Sequence, residues 1–469
     1  MNLQKGNCYM KNDSVKWNKI ASKISAVYLA GMLSIFLVYC GTNGYVSILR
    51  SKWILYLLLS ISYLGILLLS RLELTLVGAL PFPRPISFWK ALNHPQKTMC
   101  LLWFCSAIST ILSTHPKLSL WGSERREGLI TITLYIGCCL AISLYGKLRP
   151  WMLWLFAITM SLNCILALIQ LAGYNPFHLY PQGLNYYDKY ELYAGEFLGT
   201  IGNVDILSAV LCIAIPLFWI ALIRGLNPRR WLLCIPLGLC VIVLFRAFVS
   251  GGIVAVCSSI LLTIPVLQTT HKARKTAWIT VFLLCIIGVV AIYLLGYRTS
   301  GFIYEASELL HGHWDDSFGS GRLYIWRTAA ELIPQHPLFG CGPDTLGLQI
   351  DAAFERINKS VGAVIHSQVD NAHNEYLNML VERGAVTLMI YLALLVQCAY
   401  HWVRNAAKQP AAALCGGAVL TYCIQAFFGL SSPASAIYFW LALGGLIGTT
   451  AVHSTAHQMK KEERKNAKY

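Results

Sequence analysis

The chain has 469 residues, of which 56% are hydrophobic and only 12% are charged, and its mean hydropathy is +0.56. Soluble domains usually carry about 25% charged residues, so this composition excludes an ordinary soluble protein. The formal net charge of +16 at pH 7 accompanies many apolar runs. It therefore indicates how the chain is oriented in a membrane and gives no support to nucleic-acid binding.

The apolar runs predict an all-α polytopic membrane protein with about twelve transmembrane helices. They lie at about 24–40, 53–70, 98–113, 128–145, 150–172, 204–223, 231–249, 251–268, 276–295, 384–403, 411–428 and 434–452. Arg246 and two glycines interrupt the stretch from 231 to 268. Because two spans there give an even total, both termini are predicted on one side.

The pattern divides the chain into five segments. These are a cytosolic basic tail at 1–23, helices over 24–295, a large extracytoplasmic loop over 296–383, further helices over 384–452, and a cytosolic basic tail at 453–469. Lysine and arginine concentrate on the side of the N-terminus, whereas most acidic residues fall on the other side. By the positive-inside rule both termini are cytoplasmic and the long loop faces outward.

Two outer segments contain candidate substrate contacts. Arg125 and Arg126 stand outside, against the charge bias, between Glu124 and Glu127. They form either a self-neutralised, solvated turn or a contact for an anionic or sugar substrate. The tyrosine-rich segment 174–203 is either an interfacial aromatic belt or a sugar-binding lip, since aromatic faces suit sugars.

Three polar residues stand at membrane level in the predicted helices. Asn203 and Asp205 enter one of them, and a carboxylate there is costly unless it faces a polar cavity, so Asp205 is predicted to line the bundle interior. Arg246 ends the predicted seventh helix beside Ser250. It either snorkels to the headgroups or faces a partner or a polar cavity.

Arg322 is the arginine of the loop that most needs an anion. It follows Gly319-Ser320-Gly321 and opens a predicted helix in which Trp326 and Ala329 share its face. Arg322 therefore sits on an apolar stripe. Arg327 points elsewhere and can pair with Glu331 at i,i+4.

His373 is predicted to open another helix, with Leu377 on its face and with Glu375 and Glu382 pointing outward. Taken alone, a histidine on an apolar helix face is more often a satisfied core residue. Two partly buried arginines predicted on the same outer surface favour chemistry instead.

Arginine and histidine together suit transfer from a lipid-linked sugar pyrophosphate. Forked guanidiniums grip a diphosphate bidentately without a metal, and a neutral histidine takes a proton from an acceptor hydroxyl. The hydroxyl then attacks the anomeric carbon, and the arginines stabilise the leaving pyrophosphate. A metal site is the competing interpretation: His311, His313, Asp315 and Asp316 offer nitrogen and oxygen ligands, but such short spacing in a loop is a weak signal.

The sequences GSGRLYIW, HPLFGCGPDT and NAHNEYLNMLVERG, together with WGSERREGL and FLGTIGNVD, resemble the O-antigen ligase and polymerase superfamily over about 120–400. Members are glycosyltransferases of the GT-C type in the bacterial cytoplasmic (inner) membrane, with a long outer loop between the ninth and tenth helices. They move a glycan from an undecaprenyl-pyrophosphate carrier to an acceptor, without a cofactor, metal or nucleotide sugar. The resemblance implies that Arg246 and Arg322 hold the pyrophosphate and that His373 is the base.

The weaker candidates for substrate contact are Arg125, Arg126, Asn203, Asn374, Glu375 and Tyr376. Asp205 stands where the family more usually has a second asparagine, and it is left without a catalytic role. The acceptor stays open between lipid, glycan and protein, so a ligase, a polysaccharide polymerase and a protein O-oligosaccharyltransferase are all compatible. From another class, a transporter or flippase of lipid-linked sugars also needs outer arginines, and a passive structural membrane protein is the remaining alternative.

Overall fold

The computed structural model describes residues 2–81, 84–123, 125–179, 198–225, 228–350, 353–358 and 363–449, with side chains from 15 onward except in the two strands. Over these residues the protein is a helical bundle with one β-hairpin. The predicted C-terminal tail at 453–469 lies outside the described residues, as does most of the predicted tyrosine lip, from 180 to 197.

The helices before the long loop are α1 (Asn2–Gly31, extended by a π-helical turn at Met32–Phe36), α2 (Ile48–Leu76), α3 (Pro85–Ala91), α4 (His94–Leu112), α5 (Pro116–Trp121), α6 (Leu129–Tyr145), α7 (Pro150–Leu171), α8 (Val204–Arg224), α9 (Cys234–Arg246), α10 (Ser250–Val266) and α11 (His271–Leu295). Those after it are α12 (Phe302–Leu310), α13 (Arg322–Ala330), α14 (Leu346–Gln349), α15 (Glu375–Asn405), α16 (Pro410–Gln425) and α17 (Ala436–Thr449).

Every predicted apolar run coincides with one of these helices. Six helical stretches of the described chain are long and apolar enough to cross a membrane: Val15–Phe36, Gly44–Leu76, Pro150–Leu171, Val204–Arg224, His271–Arg298 and Glu375–Asn405. Four shorter apolar helices accompany them. The protein is therefore a helical, polytopic membrane protein, while the number of twelve spans stays a prediction. The tail predicted over 1–23 lies inside α1, because the helix begins at Asn2.

Helix α8 is the centre of the bundle. In its apolar stretch 78% of the residues are buried, and it packs against α16, α9 and α10. Gly417 of α16 lies so close to Ile220 of α8 that a Cβ there would overlap the isoleucine side chain, and small residues of this kind let membrane helices approach closely. Helix α11 is the opposite case, with only 11% of its apolar stretch buried. It therefore lies at the periphery.

Helix α15 is broken at Gly384, which has φ 77° and ψ 172°. The break lets the turn at 336–342 dock on the helix, since the amide of Gly342 donates to the carbonyl of Glu382 at 2.8 Å. The fit at Gly384 is tight enough that a Cβ would overlap the carbonyl oxygen of Leu338. The turn that follows α13 is thereby fixed to the bundle.

The long loop between α11 and α15 is folded around its own small core. It contains α12, α13, α14 and an antiparallel hairpin of β1 (Ala353–Asn358) and β2 (Ala363–Gln368). In the hairpin Ala353 pairs with Gln368 and Asn358 pairs with Ala363. Buried side chains such as Ile325, Leu346 and Val369 pack with Val381 of α15. The predicted loop is thus partly helical and joined to the bundle by apolar contacts.

Candidate active site

The N-terminus of α8 is fixed by local hydrogen bonds. Asn203 is the N-cap, and its side-chain oxygen accepts from the amides of Asp205 at 2.9 Å and Ile206 at 3.1 Å, which satisfies two amides that a helix start leaves free. Just before it, the amide of Thr200 donates to the side chain of Asn163 at 2.7 Å. Asn203 therefore caps the helix, and its side-chain oxygen is already used.

The carboxylate of Asp205 lies between Arg322 and His373. Its Oδ1 is 3.8 Å from Nη2 of Arg322, and its Oδ2 is 4.0 Å from Nδ1 of His373. All three side chains are partly exposed, at 21%, 19% and 27% respectively. The structure thus brings two of the three predicted catalytic residues together around a carboxylate to which the sequence analysis assigned no catalytic role.

The guanidinium of Arg322 has N–H donors that are not used within the described part of the chain. Its Nη1 donates to the carbonyl of Gly319 at 2.9 Å, and its buried Nε has no hydrogen-bond partner among the described residues. The predicted pair between Arg327 and Glu331 is wrong, because the loop brings Asp316 to within 2.6 Å of Nη2 of Arg327. Arg322 is thus the guanidinium left open towards the site.

His373 precedes α15 and does not open it. The helix begins at Glu375, because Asn374 is the N-cap and its side chain accepts from the amides of Tyr376 and Leu377, both at 3.1 Å. His373 has the left-handed φ of 46°, so the prediction that it shares a helix face with Leu377 is wrong. Its buried Nδ1 has no hydrogen-bond partner in the described part of the chain.

Burial lowers the pKa of His373 to about 4. The nearby Arg125 and Arg322 also lower this pKa, while Asp205 and Asp370 oppose the shift. The imidazole is therefore neutral at pH 7, which is the state that can accept a proton.

Arg125 is held by a carboxylate from the far side of the loop. Its Nε and Nη2 each lie 2.9 Å from an oxygen of Asp370, and its side chain is 14% exposed. The interpretation as a self-neutralised, solvated turn is therefore wrong for Arg125. The guanidinium of Arg126 lies 5.3 Å from the ring centroid of Trp53, within the range of a cation–π contact. In the described part of the chain neither arginine forms a hydrogen bond or an ion pair with Arg322 or His373.

Glu375 and Tyr376 point into the bundle and tie α15 to α16. The hydroxyl of Tyr422 donates to Glu375, and the hydroxyl of Tyr376 donates to the carbonyl of Cys423, both at 2.7 Å. The prediction that Glu375 and Glu382 point outward is wrong, because the start of α15 is packed inside the bundle. Both glutamates line a cavity of about 40 Å³.

The same cavity is lined by two further acidic residues, which lie outside the long helices. Asp344 accepts from the amides of Ser123 at 2.6 Å and Glu127 at 3.2 Å, and Glu127 accepts from the hydroxyl of Tyr135 at 2.7 Å. Burial raises the pKa of Asp344 to about 6 and that of Glu127 to about 8. Sequence reasoning missed Asp344, although it lies in the quoted turn HPLFGCGPDT.

Arg246 lies at the same end of the bundle without joining the site. It ends α9, its side chain is exposed, and it forms no hydrogen bond or ion pair with a described residue. The following α10 packs through Gly252 against Ser208, one turn from Asp205. The structure therefore does not bring Arg246 into contact with Arg322 or His373.

The histidines of the alternative metal site have other contacts. The ring of His311 stacks on Tyr293 with centroids 4.1 Å apart, and Nδ1 of His313 lies 2.9 Å from Glu308. Within the described ranges no three His, Cys, Asp or Glu side chains converge as a metal site.

Comparison with known proteins gives a family match over part of the chain. No curated protein matches the chain. The model of the O-antigen ligase family matches residues 235–392, a region that runs from α9 into α15 and contains Arg246, Arg322 and His373, whereas Arg125 and Asp205 lie before it. Over residues 235–392 the match confirms the resemblance to the O-antigen ligase and polymerase superfamily that is predicted from the sequence.

Proposed function

We propose that the protein is a membrane glycosyltransferase of the O-antigen ligase type. It moves a glycan from an undecaprenyl-pyrophosphate carrier to an acceptor hydroxyl at the outer face of the cytoplasmic membrane. The family match supports the class of activity. The meeting of Arg322 and His373 around Asp205 is the observation that carries the proposed chemistry.

His373 is the proposed general base. Its neutral imidazole accepts the proton of the acceptor hydroxyl as the oxygen bonds to the anomeric carbon. The bond between that carbon and the pyrophosphate oxygen breaks at the same time, and the carrier leaves as the pyrophosphate. A base whose pKa is held near 4 by burial is deprotonated at neutral pH, although its driving force for proton transfer is modest.

Arg322 is the proposed ligand of the leaving pyrophosphate. It presents a fork of N–H donors of which Nη1 is used by Gly319 while Nε has no partner in the described chain. The leaving diphosphate gains negative charge as its bond to the anomeric carbon breaks, and the bound guanidinium stabilises that charge. Arg246 is exposed at the same end of the bundle and is available to the carrier as a second cation.

A polysaccharide polymerase and a protein O-oligosaccharyltransferase use this same chemistry and differ in the acceptor. A transporter or flippase of lipid-linked sugars needs the arginines to bind the carrier, but it has no use for a base. His373 therefore separates the enzyme from the transporter.

The experiment has two arms. The gene is deleted and carrier-linked glycans are extracted: unattached polymer indicates a ligase and single repeat units a polymerase, while an unchanged carrier pool contradicts the proposal. Purified protein is then given the accumulated carrier-linked glycan, with Arg322→Lys compared to Arg327→Lys. We expect Arg322→Lys to lose transfer because the fork is lost. Arg327→Lys should keep transfer, since Arg327 is 55% exposed and bound to Asp316. Equal activity of the two variants would contradict pyrophosphate binding by Arg322.

A further inference from the structure

Asp205 has no role in the mechanism given above, although it is the residue around which that site is arranged. We propose that Asp205 is a positioning residue for the transfer: its carboxylate holds the imidazole of His373 in one orientation and tautomer, and holds the Arg322 guanidinium beside it. This inference rests on the proposed function.

The geometry assigns one carboxylate oxygen to each partner. Oδ1 faces Nη2 of Arg322 at 3.8 Å and Oδ2 faces Nδ1 of His373 at 4.0 Å. Both separations exceed a formed hydrogen bond. In enzymes without substrate such contacts are often long and shorten in the complex, so the carboxylate is placed to close on both donors.

Each of the two side chains also has a buried nitrogen that lacks another partner within the described residues. Nδ1 of His373 and Nε of Arg322 are buried and make no hydrogen bond to a described residue. The nearby Asp370 cannot take over this role as it stands, since both of its oxygens are engaged by Arg125 at 2.9 Å. Asp205 is therefore the acid available to both donors.

The carboxylate also stands on a rigid support. The Asp205 amide is fixed by the cap Asn203 at 2.9 Å, and the helix it opens is largely buried. A positioning group must be held to a fraction of an ångström, and the first turn of a buried helix meets that requirement better than a loop does.

The proposed role follows from charge and tautomer. A proton on Nδ1 directed at Asp205 leaves the Nε2 lone pair for the acceptor hydroxyl. When Nε2 takes the proton, the imidazolium is faced by Asp205 on α8, by Arg322 on α13, and by Arg125 and Asp370 from the loops. Because the two guanidiniums oppose the new positive charge, the Asp205 carboxylate is needed to balance them.

The test compares Asp205→Asn, which removes the charge and keeps the shape, with Glu331→Gln, which changes a carboxylate to an amide at an exposed position of the long loop. The probe is the carrier-linked glycan that accumulates in the deletion strain. We expect Asp205→Asn to lower kcat about 100-fold with little change in KM for the donor. Loss of the negative charge should also lower the pKa of His373, so the acid limb of the pH–rate profile moves to lower pH.

A merely structural role gives a different result. Loss of kcat with a lower Tm and an unmoved pH profile would overturn the inference, as would wild-type kcat in Asp205→Asn. Adding Asp205→Asn to His373→Ala should cost little more than His373→Ala alone, since the two residues act as a unit. If His373→Ala itself is fully active, the proposed function has failed; if it is inactive while Asp205→Asn is normal, only this inference has failed.

Discussion

Replacing Gly384 by alanine tests whether the break in α15 holds the turn at 336–342 against the bundle. Gly384 has φ 77°, a conformation that costs a residue with a Cβ about 1–3 kcal/mol. In addition, the new Cβ would overlap the backbone of Leu338 and Phe339. Because these neighbours are backbone atoms and not the end of a flexible side chain, the alanine fits only if the whole turn at 336–342 shifts.

The size of the effect follows from these contacts. Moving the turn weakens the bonds from the amides of Cys341 to Val381 at 3.1 Å and of Gly342 to Glu382 at 2.8 Å, each worth about 1 kcal/mol. Together with the strain, the loss is about 3–5 kcal/mol. In a chain of this size we expect the Tm in detergent to fall by roughly 5 °C.

Gly288→Ala is the matched control. Gly288 lies inside α11, and a Cβ there would meet nothing within 4 Å, so alanine should stabilise the helix by about 0.5–1 kcal/mol. Both variants are purified in the same detergent and followed by thermal unfolding and by glycan transfer. A Gly384→Ala protein with the Tm and transfer rate of Gly288→Ala would refute the described docking of the turn on α15.

Three further predictions concern ionisable groups near the site. Glu127→Gln should transfer glycan normally at pH 7, because a carboxyl whose pKa burial raises to about 8 is mostly protonated there. Between the unfolded pKa of 4.5 and the folded pKa of about 8 the unfolded carboxyl is ionised and the folded one is not, so the wild type loses stability as pH rises through that window. Its Tm should therefore fall relative to that of the variant between about pH 5 and about pH 9, and a constant difference in Tm would contradict this. The kcat of the wild type should stay level down to about pH 5 and fall as His373 is protonated near its pKa of about 4, and a fall complete by pH 6 in a pH–rate profile would argue against His373 as the base. Arg125→Gln, which breaks the two bonds to Asp370, should lower transfer roughly 10-fold or more, whereas Arg126→Gln, which loses a ring contact to Trp53, should have the smaller effect in the same assay.

The helices were predictable because hydropathy is a local property. The length and apolar composition of the run 204–223 are enough to predict a buried helix, and α8 occupies Val204–Arg224. The start of α15 was misplaced for a local reason as well. Asn374 caps the helix. The helix therefore begins after His373, and His373 cannot lie on its face.

The convergence of Arg322 and His373 was predicted from chemistry, yet the third member was not. Asp205 was expected to line the bundle interior, and nothing local shows which side chain it faces across the chain. The pair of Arg125 and Asp370 spans 245 positions, so no periodicity signals it. The inward glutamates of α15 were missed because single-face periodicity fails where a helix start contacts neighbouring helices, as Glu375 contacts Tyr422.

The sequence predicted a boundary near Gly384 but not the break in the helix there. The segment VERGAV contains a glycine, and the predicted boundary between the loop and the next span fell at 383 and 384. A positive φ cannot be distinguished from a helical glycine by sequence alone. It is fixed by the docking of the turn at 336–342, which is a tertiary contact.

The central claim is tested most directly by one rapid-mixing experiment with His373→Ala and the wild type. Both proteins are saturated with carrier-linked glycan, donor binding is measured, and a single turnover to acceptor is then timed. The account predicts unchanged donor affinity with transfer slowed by about 100-fold or more. A single-turnover rate equal to that of the wild type, at full donor occupancy, would contradict it.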